Sequence, residues 1–415
     1  AIFPLQLLSI ALMLMSERKQ GLTDPHFLDR LAMPYYAVYP REATTTAGRS
    51  MVDHPVGSAP FHVADLIPEQ LVVLEATPDW RGRLDTEGRR TMPRLTRATF
   101  QLVQEGSTAE EMFLRGATAR LSLNSRNAAD WLDPETGGLR AELADQGYRL
   151  HAFDNLDLTM LAFGMDDPVI GHLPGDEEGN RRRLLLRQAI AAAFPYEAWD
   201  KLVRGGLPAV PARNFLAPGI PGETALPDLG WNRRDLDRAR ALLAEAGHPG
   251  GEGLDSLEFL LTGTDPFSRA MGELVESGLE EAGIPIEPVP MPFREQVARA
   301  RAGDAQLFLR AWIPDWPDGA LILQNFQGEL VGTDVNLGHF RDAEFDRLFA
   351  LYRAEPEGPA RDELAVALCA RLSALVPAVP IDHRRSRIVT QPWLGGVEIA
   401  VQQVFALSSY RVLPR

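Results

Sequence analysis

Leu257-Glu258-Phe259-Leu260-Leu261-Thr262 is a short, almost wholly apolar run, the pattern of a strand covered on both faces. Phe267, Met271, Leu274, Val275 and Leu279 follow at spacings of three and four, so they share one face of a helix that Gly283 ends. Residues 284–289 read as a second strand, Phe293–Arg301 as a second helix and residues 306–312 as a third strand. Strand, helix, strand, helix, strand at these lengths predicts a parallel sheet with covering helices.

The same alternation extends outward. Toward the C-terminus, helices are expected at residues 342–354 and Pro359–Leu375, then strands near 379–382 and 388–390. Toward the N-terminus, Asp235 can cap a helix striped by Leu236, Ala239, Leu242, Leu243 and Ala246 and stopped by Gly247. Residues 181–194 form another helix, with Leu185, Ala189, Ile190 and Ala193 on one face; the acidic, Gly/Pro-rich stretch 166–180 before it reads as a loop. Short strands are expected at 95–103, Arg120–Leu123, 148–153 and 158–165, with short helices at 109–114 and 139–146. Pro208, Pro211, Pro218 and Pro221 mark an extended connection, and residues 22–93 are broken by Pro and Gly. The fold class is α/β.

The chain has 415 residues, 45% of them hydrophobic and 24% charged, which suits a water-soluble protein of roughly two to four domains. A net charge of −15 argues against a nucleic-acid or anionic-membrane partner, since both need Lys/Arg surfaces. With Cys369 alone, no internal disulfide can form; its Leu364, Leu368, Leu372 and Leu375 neighbours at helical spacing make it a small buried hydrophobe. The apolar run from Ala1 to Met15 is short for a spanning helix, and its basic residues, Arg18 and Lys19, follow it, the reverse of a signal peptide. It reads as an internal core segment.

Catalytic signatures are missing: no Gly-x-Ser-x-Gly elbow, His-Glu-x-x-His, P-loop or dinucleotide Gly-x-Gly-x-x-Gly can be read. His54 and His62 match no zinc pattern, and the carboxylates of residues 166–178 miss the calcium-loop alternation. No metal or cofactor is expected. One phrase differs: Arg310-Ala311-Trp312-Ile313-Pro314-Asp315-Trp316-Pro317-Asp318 comes directly after a core strand. Ligands of α/β sheets bind outside the carboxyl ends of strands, Trp supplies rigid contact area, and a carboxylate on a Pro-stiffened loop can anchor an ammonium or hydroxyl. The same loop can also be a surface loop whose Trp residues fill a domain seam.

Several phrases together resemble the large extracytoplasmic solute-binding proteins of ABC importers, the dipeptide- and oligopeptide-binding family. Pro55-Val56-Gly57-Ser58-Ala59-Pro60-Phe61 is similar to the family's Gly-Thr-Gly-Pro-Phe turn, with Ala59 replacing a Gly. Arg187-Gln188-Ala189-Ile190-Ala191-Ala192-Ala193-Phe194 resembles its Arg-x-Ala helix, and Gly206, Pro208 and Ala209 resemble the phrase after that helix. Asp237 to Gly247 resembles Ala-x-x-Leu-Leu-x-x-Ala-Gly, and Trp312-Ile313-Pro314-Asp315-Trp316-Pro317-Asp318 resembles Trp-x-x-Asp-Tyr-x-Asp-Pro. Phe345-Asp346-Arg347-Leu348, Arg361 and Pro377-Ala378-Val379-Pro380 match its C-terminal helices and strand.

The resemblance implies a bilobed, periplasmic-binding-protein-like fold with mixed and parallel sheets joined by a hinge. One lobe would be residues 1–186 completed by 389–415, the other residues 187–388, with chain crossings near Leu185 and Arg387. It implies a non-catalytic, monomeric, extracytoplasmic receptor that closes on a peptide and delivers it to the permease subunits. By position, Asp315 would pair with the peptide α-ammonium, Trp312 would pack beside it, and Phe293 would form an aromatic wall. Phe163 and Met165 would face the cleft from the strand end where the family commonly has Asn next to the aromatic; here Gly164 stands there. The family carries more chain before its Gly-rich turn; residues 27–43 fit the text before that turn and residues 1–19 do not, so the sequence is expected to begin partway into the fold. Two other readings stand: the same fold with another solute (a sugar, a metal chelate or another small molecule), and a secreted hydrolase using Asp315 and Asp318.

Overall fold

The computed structural model describes residues 25, 55–84, 88, 90–103, 106–125, 127–204, 210–397 and 407–414. The apolar run Ala1 to Met15, the stretch 27–43, His54 and the Gly206 to Ala209 phrase lie outside the described residues. The first described sheet is antiparallel: β1 (Phe61–Ile67), β2 (Leu71–Ala76) and β3 (Arg97–Gln101) pair in that order. Next come β4 (Arg120–Leu123) and β5 (Arg149–Asp154), which take their shared partner from the far end of the chain.

Six strands build the main sheet: β6 (Leu158–Phe163), β7 (Val210–Pro211), β8 (Leu257–Thr262), β9 (Ile286–Met291), β10 (Leu307–Trp312) and β11 (Ala378–His383). Their order is β9-β8-β10-β6-β11-β7. Both β9 and β10 run parallel to β8, as the alternating sequence predicts, because helices return the chain each time. The antiparallel β6 inserts between β10 and β11. Every residue of β11 and five of the six in β6 are buried, as central strands covered on both faces are, the polar Asp382 and His383 included. The chain then enters β12 (Arg385–Thr390), which lies between β4 and β5. The fold is thus the α/β, mixed-sheet architecture expected.

Helices cover the main sheet: α1 (Glu177–Ala193), α2 (Leu236–Glu245), α3 (Pro266–Glu280), α4 (Phe293–Arg301), α5 (Ala343–Ala354) and α6 (Pro359–Leu375). Asp235, Asp265 and Asp342 accept hydrogen bonds from first-turn N–H groups of α2, α3 and α5, each worth about 1 kcal/mol. One loop expectation is corrected: α1 starts at Glu177, inside the acidic stretch. There Asp176 accepts from Gly179 N at 3.0 Å, and Glu177 and Glu178 favour the positive end of the helix dipole, outweighing the helix-weakening Gly179. Cys369 is fully buried on α6, and burial pushes its thiol up to about 12. No helix among the described residues is long and apolar enough to cross a membrane.

The chain changes sheets twice in this region. Because β6 belongs to the six-stranded sheet, the chain passes from one sheet to the other at residues 155–157 and returns at 384.

Candidate functional site

Parallel strands bring their carboxyl ends to one edge. Thr262, Met291 and Trp312 close β8, β9 and β10 on the same side of the sheet. Phe293, the first residue of α4, and the loop of residues 312–318 therefore share that edge, with the β8 end between them. Phe293 is 59% exposed and Ile313 is 57% exposed, large apolar side chains left uncovered beside the exposed Asp315.

The loop is held from below. Trp312 is half-buried, and its indole N–H donates to the Leu321 carbonyl at 2.5 Å. The Arg310 guanidinium lies 4.8 Å over the Trp312 ring and donates to the Asp334 carbonyl at 2.5 Å. Burial pushes Arg310 down to about 10. At the loop's other end Asp318 is buried, accepts from Ala320 N at 2.9 Å and pairs with buried Arg361 at 2.5 Å. That pairing corrects the hydrolase reading: Asp318 is locked inside the lobe while Asp315 points outward, so the two do not form an opposed carboxylate pair.

Antiparallel pairing opposes Leu158 to Trp312, which places the first chain crossing at this same edge. There Asp157 is fully buried: its carboxylate accepts from Arg384 N at 3.1 Å and pairs with the Arg384 guanidinium, while its carbonyl faces His383 Nδ1 at 2.8 Å. Asn155 N donates to Arg384 O at 2.8 Å, and Arg385 pairs with Asp154 at 2.6 Å. The two crossing segments are thus tied to each other between the sheets. Burial lowers His383 below its usual range, with the neighbouring Asp157 acting against it, which favours the neutral ring there.

Phe163 and Met165 are not brought to this edge. Phe163 sits opposite Leu307, five residues from the Trp312 end, or about 17 Å along the strand, and both side chains are buried. The antiparallel sense of β6 is the cause, and a local reading of residues 158–165 carries no signal for it. Nor can Gly164 be replaced by the Asn expected there, because a Cβ would lie 1.7 Å from the Ala305 carbonyl oxygen. What the sequence reading missed is the crossing: Asp157 and Arg384 carry no local motif, and only long-range pairing joins them. Among the described residues no group of three or more His, Cys, Asp or Glu could hold a metal ion.

A sheet whose parallel strand ends, aromatic loop and two chain crossings meet at one edge has the geometry at which α/β binding proteins take their ligands. The chain belongs to the bacterial extracellular solute-binding proteins, family 5, whose model matches residues 19–333. That is a family of binding proteins rather than enzymes. The chain is 24% identical over 338 residues to heme-binding protein A of Haemophilus influenzae, covering 79% of this chain and 55% of that protein. It is 23% identical over 302 residues to the dipeptide-binding protein of Escherichia coli, covering 71% and 50%. It therefore spans about half the length of these relatives. The fold matches that of the periplasmic binding protein DppA of Helicobacter pylori in complex with the peptide STSA, with TM-score 0.71, 17% identity, and 95% of this chain and 71% of that chain covered.

Proposed function

We propose that this chain is the solute-receiving part of an ABC importer's extracytoplasmic receptor and that it takes peptides at the carboxyl edge of the six-stranded sheet. One observation carries the reading: Trp312, Asp315, Ile313 and Phe293 stand at a single edge, beside both chain crossings. In this reading Asp315 receives a peptide's α-ammonium, Trp312 packs beside it, and Phe293 with Ile313 forms the apolar wall. Phe163 and Met165 are left out of the contact set, because they lie at the far end of β6. Closure about residues 155–157 and 384 dries the edge, so the charge pair gains strength on closing. The closed receptor works as a monomer and hands its solute to the permease subunits of the membrane transporter. The name of the dipeptide-binding relative supports peptides; that of the heme-binding relative supports a second reading, the same edge holding a metal chelate or another small solute.

Native mass spectrometry of freshly purified protein, followed by release of whatever copurifies, tests the choice. Short peptide masses support the main reading. A stoichiometric heme, sugar or metal-chelate mass in their place overturns it in favour of the second.

A further inference from the structure

One cavity among the described residues lies away from the carboxyl edge. A cavity of about 530 Å³ opens at the other end of β6, where Met165, Phe340 and Leu375 give it an apolar floor and Asp166, Arg341 and Arg371 give it charged walls. Such a volume lies in the range of small-molecule pockets. Nothing in the peptide reading uses it.

Its polar groups are not balanced between donors and acceptors. Asp166 is engaged by His339 Nδ1 at 2.6 Å and by Arg341 at 2.6 Å. Asp342 takes both Arg371 Nε, at 2.8 Å, and Arg371 Nη2, at 2.6 Å, and accepts from Phe345 N at 2.8 Å. Each carboxylate is thus already paired with a protein guanidinium. The guanidinium groups have not spent their hydrogens: Arg371 Nη1 carries two N–H bonds that no contact with Asp342 uses. Beneath the floor lies a further cation. Arg187 is 1% exposed and donates to four carbonyls, those of Ile170, Gly171, Leu375 and Val376, with no carboxylate among those partners. Of these residues Leu375 lines the cavity, and Gly171 and Val376 are chain neighbours of lining residues. Burial, and after it the nearby Arg187 and Arg183, hold the lining His172 below its usual range against the pull of Asp342.

We infer that this cavity is a second binding site, for a small organic carboxylate with an apolar body. The carboxylate meets Arg371 Nη1 and Arg341, and the body lies on Met165, Phe340 and Leu375. A cation finds both aspartates already paired, whereas a carboxylate can still take the Arg371 Nη1 hydrogens; a neutral analogue loses the charge-assisted bonds. The site is independent of the peptide edge, which lies at the opposite end of β6.

Calorimetric titration of the full chain with three shape-matched probes tests this: 4-phenylbutyrate, 4-phenylbutylamine and 4-phenylbutanol. One equivalent of 4-phenylbutyrate is expected to bind, about tenfold or more tighter than the amine or the alcohol. Arg341→Met, at an exposed position outside the core, weakens the carboxylate by about tenfold, and Leu375→Trp, which keeps every charge and fills the space, abolishes it. Asp315→Asn leaves it unchanged. The inference is overturned if 4-phenylbutyrate does not bind at ~10 mM, a weak limit for one ion-paired contact. It is equally overturned if the three probes bind alike, if both cavity variants bind as the parent does, or if Asp315→Asn removes the binding.

Discussion

Replacing Arg361 with Met cuts the anchor of the ligand loop and should be the costliest polar change in the lobe. Arg361 is 2% exposed; its guanidinium pairs with Asp318 at 2.5 Å, donates to the Tyr352 carbonyl at 3.2 Å and lies 4.2 Å over the Tyr352 ring. Removing it leaves the 3% exposed Asp318 charged inside the lobe. Breaking a buried pair in this way costs about 3–5 kcal/mol, far above the ~0–1 kcal/mol of a surface pair. The pair is not itself a strong net stabiliser, because the buried Arg361 Nη1 makes no hydrogen bond. Arg361→Met combined with Asp318→Asn removes both charges and should recover at least half of the loss, the Asn oxygen still accepting from Ala320 N. Urea unfolding followed by tryptophan fluorescence and by circular dichroism gives the four free energies of the cycle. A single-variant cost under about 1 kcal/mol, or a double variant equal to the sum of the singles, would refute the reasoning, since a coupled buried pair cannot be additive.

Gly164→Ala should destabilise by about 3 kcal/mol or more, because its Cβ meets a backbone carbonyl that cannot swing away; a loss under 1 kcal/mol in the same unfolding assay contradicts the close approach. Burial alone would raise Asp342, but the Arg371 guanidinium and the Phe345 N–H outweigh it and hold it below the usual carboxylate range. The stability this contributes is present above about pH 4 and lost as pH falls through the lowered value, so Asp342→Asn should flatten acid unfolding on that side; an unchanged acid limb contradicts the pairing. With its thiol pushed up to about 12, Cys369 should resist iodoacetamide in the native chain and react on unfolding. Rapid native alkylation at neutral pH contradicts its burial.

Much of the α/β frame is readable residue by residue. Leu257–Thr262 and Pro359–Leu375 have their predicted limits because apolar runs, a Pro at the first helical turn and the preceding turn signals all agree. Asp235 and Asp342 announce their helices through caps that act within four residues. The candidate edge is readable as far as residues 312–315 and Phe293, whose placement follows from parallel strands alone. The remainder depends on partners distant in the chain. The antiparallel entry of β6 between β10 and β11 moves Phe163 to the opposite end and brings residues 155–157 to the Trp312 edge. Asp157 and Arg384 meet across more than half the chain, with no local pattern to report it.

The most direct test of the central claim is a calorimetric comparison of Asp315→Asn with the parent, using one short peptide with a free amino terminus and its N-acetylated form. If Asp315 receives the α-ammonium, the variant loses about tenfold or more in affinity for the free peptide and changes little for the acetylated one, the scale of one hydrogen bond to a charged group. Equal losses for both peptides, or none for either, would contradict the assignment of the peptide's positive end to this edge of the sheet.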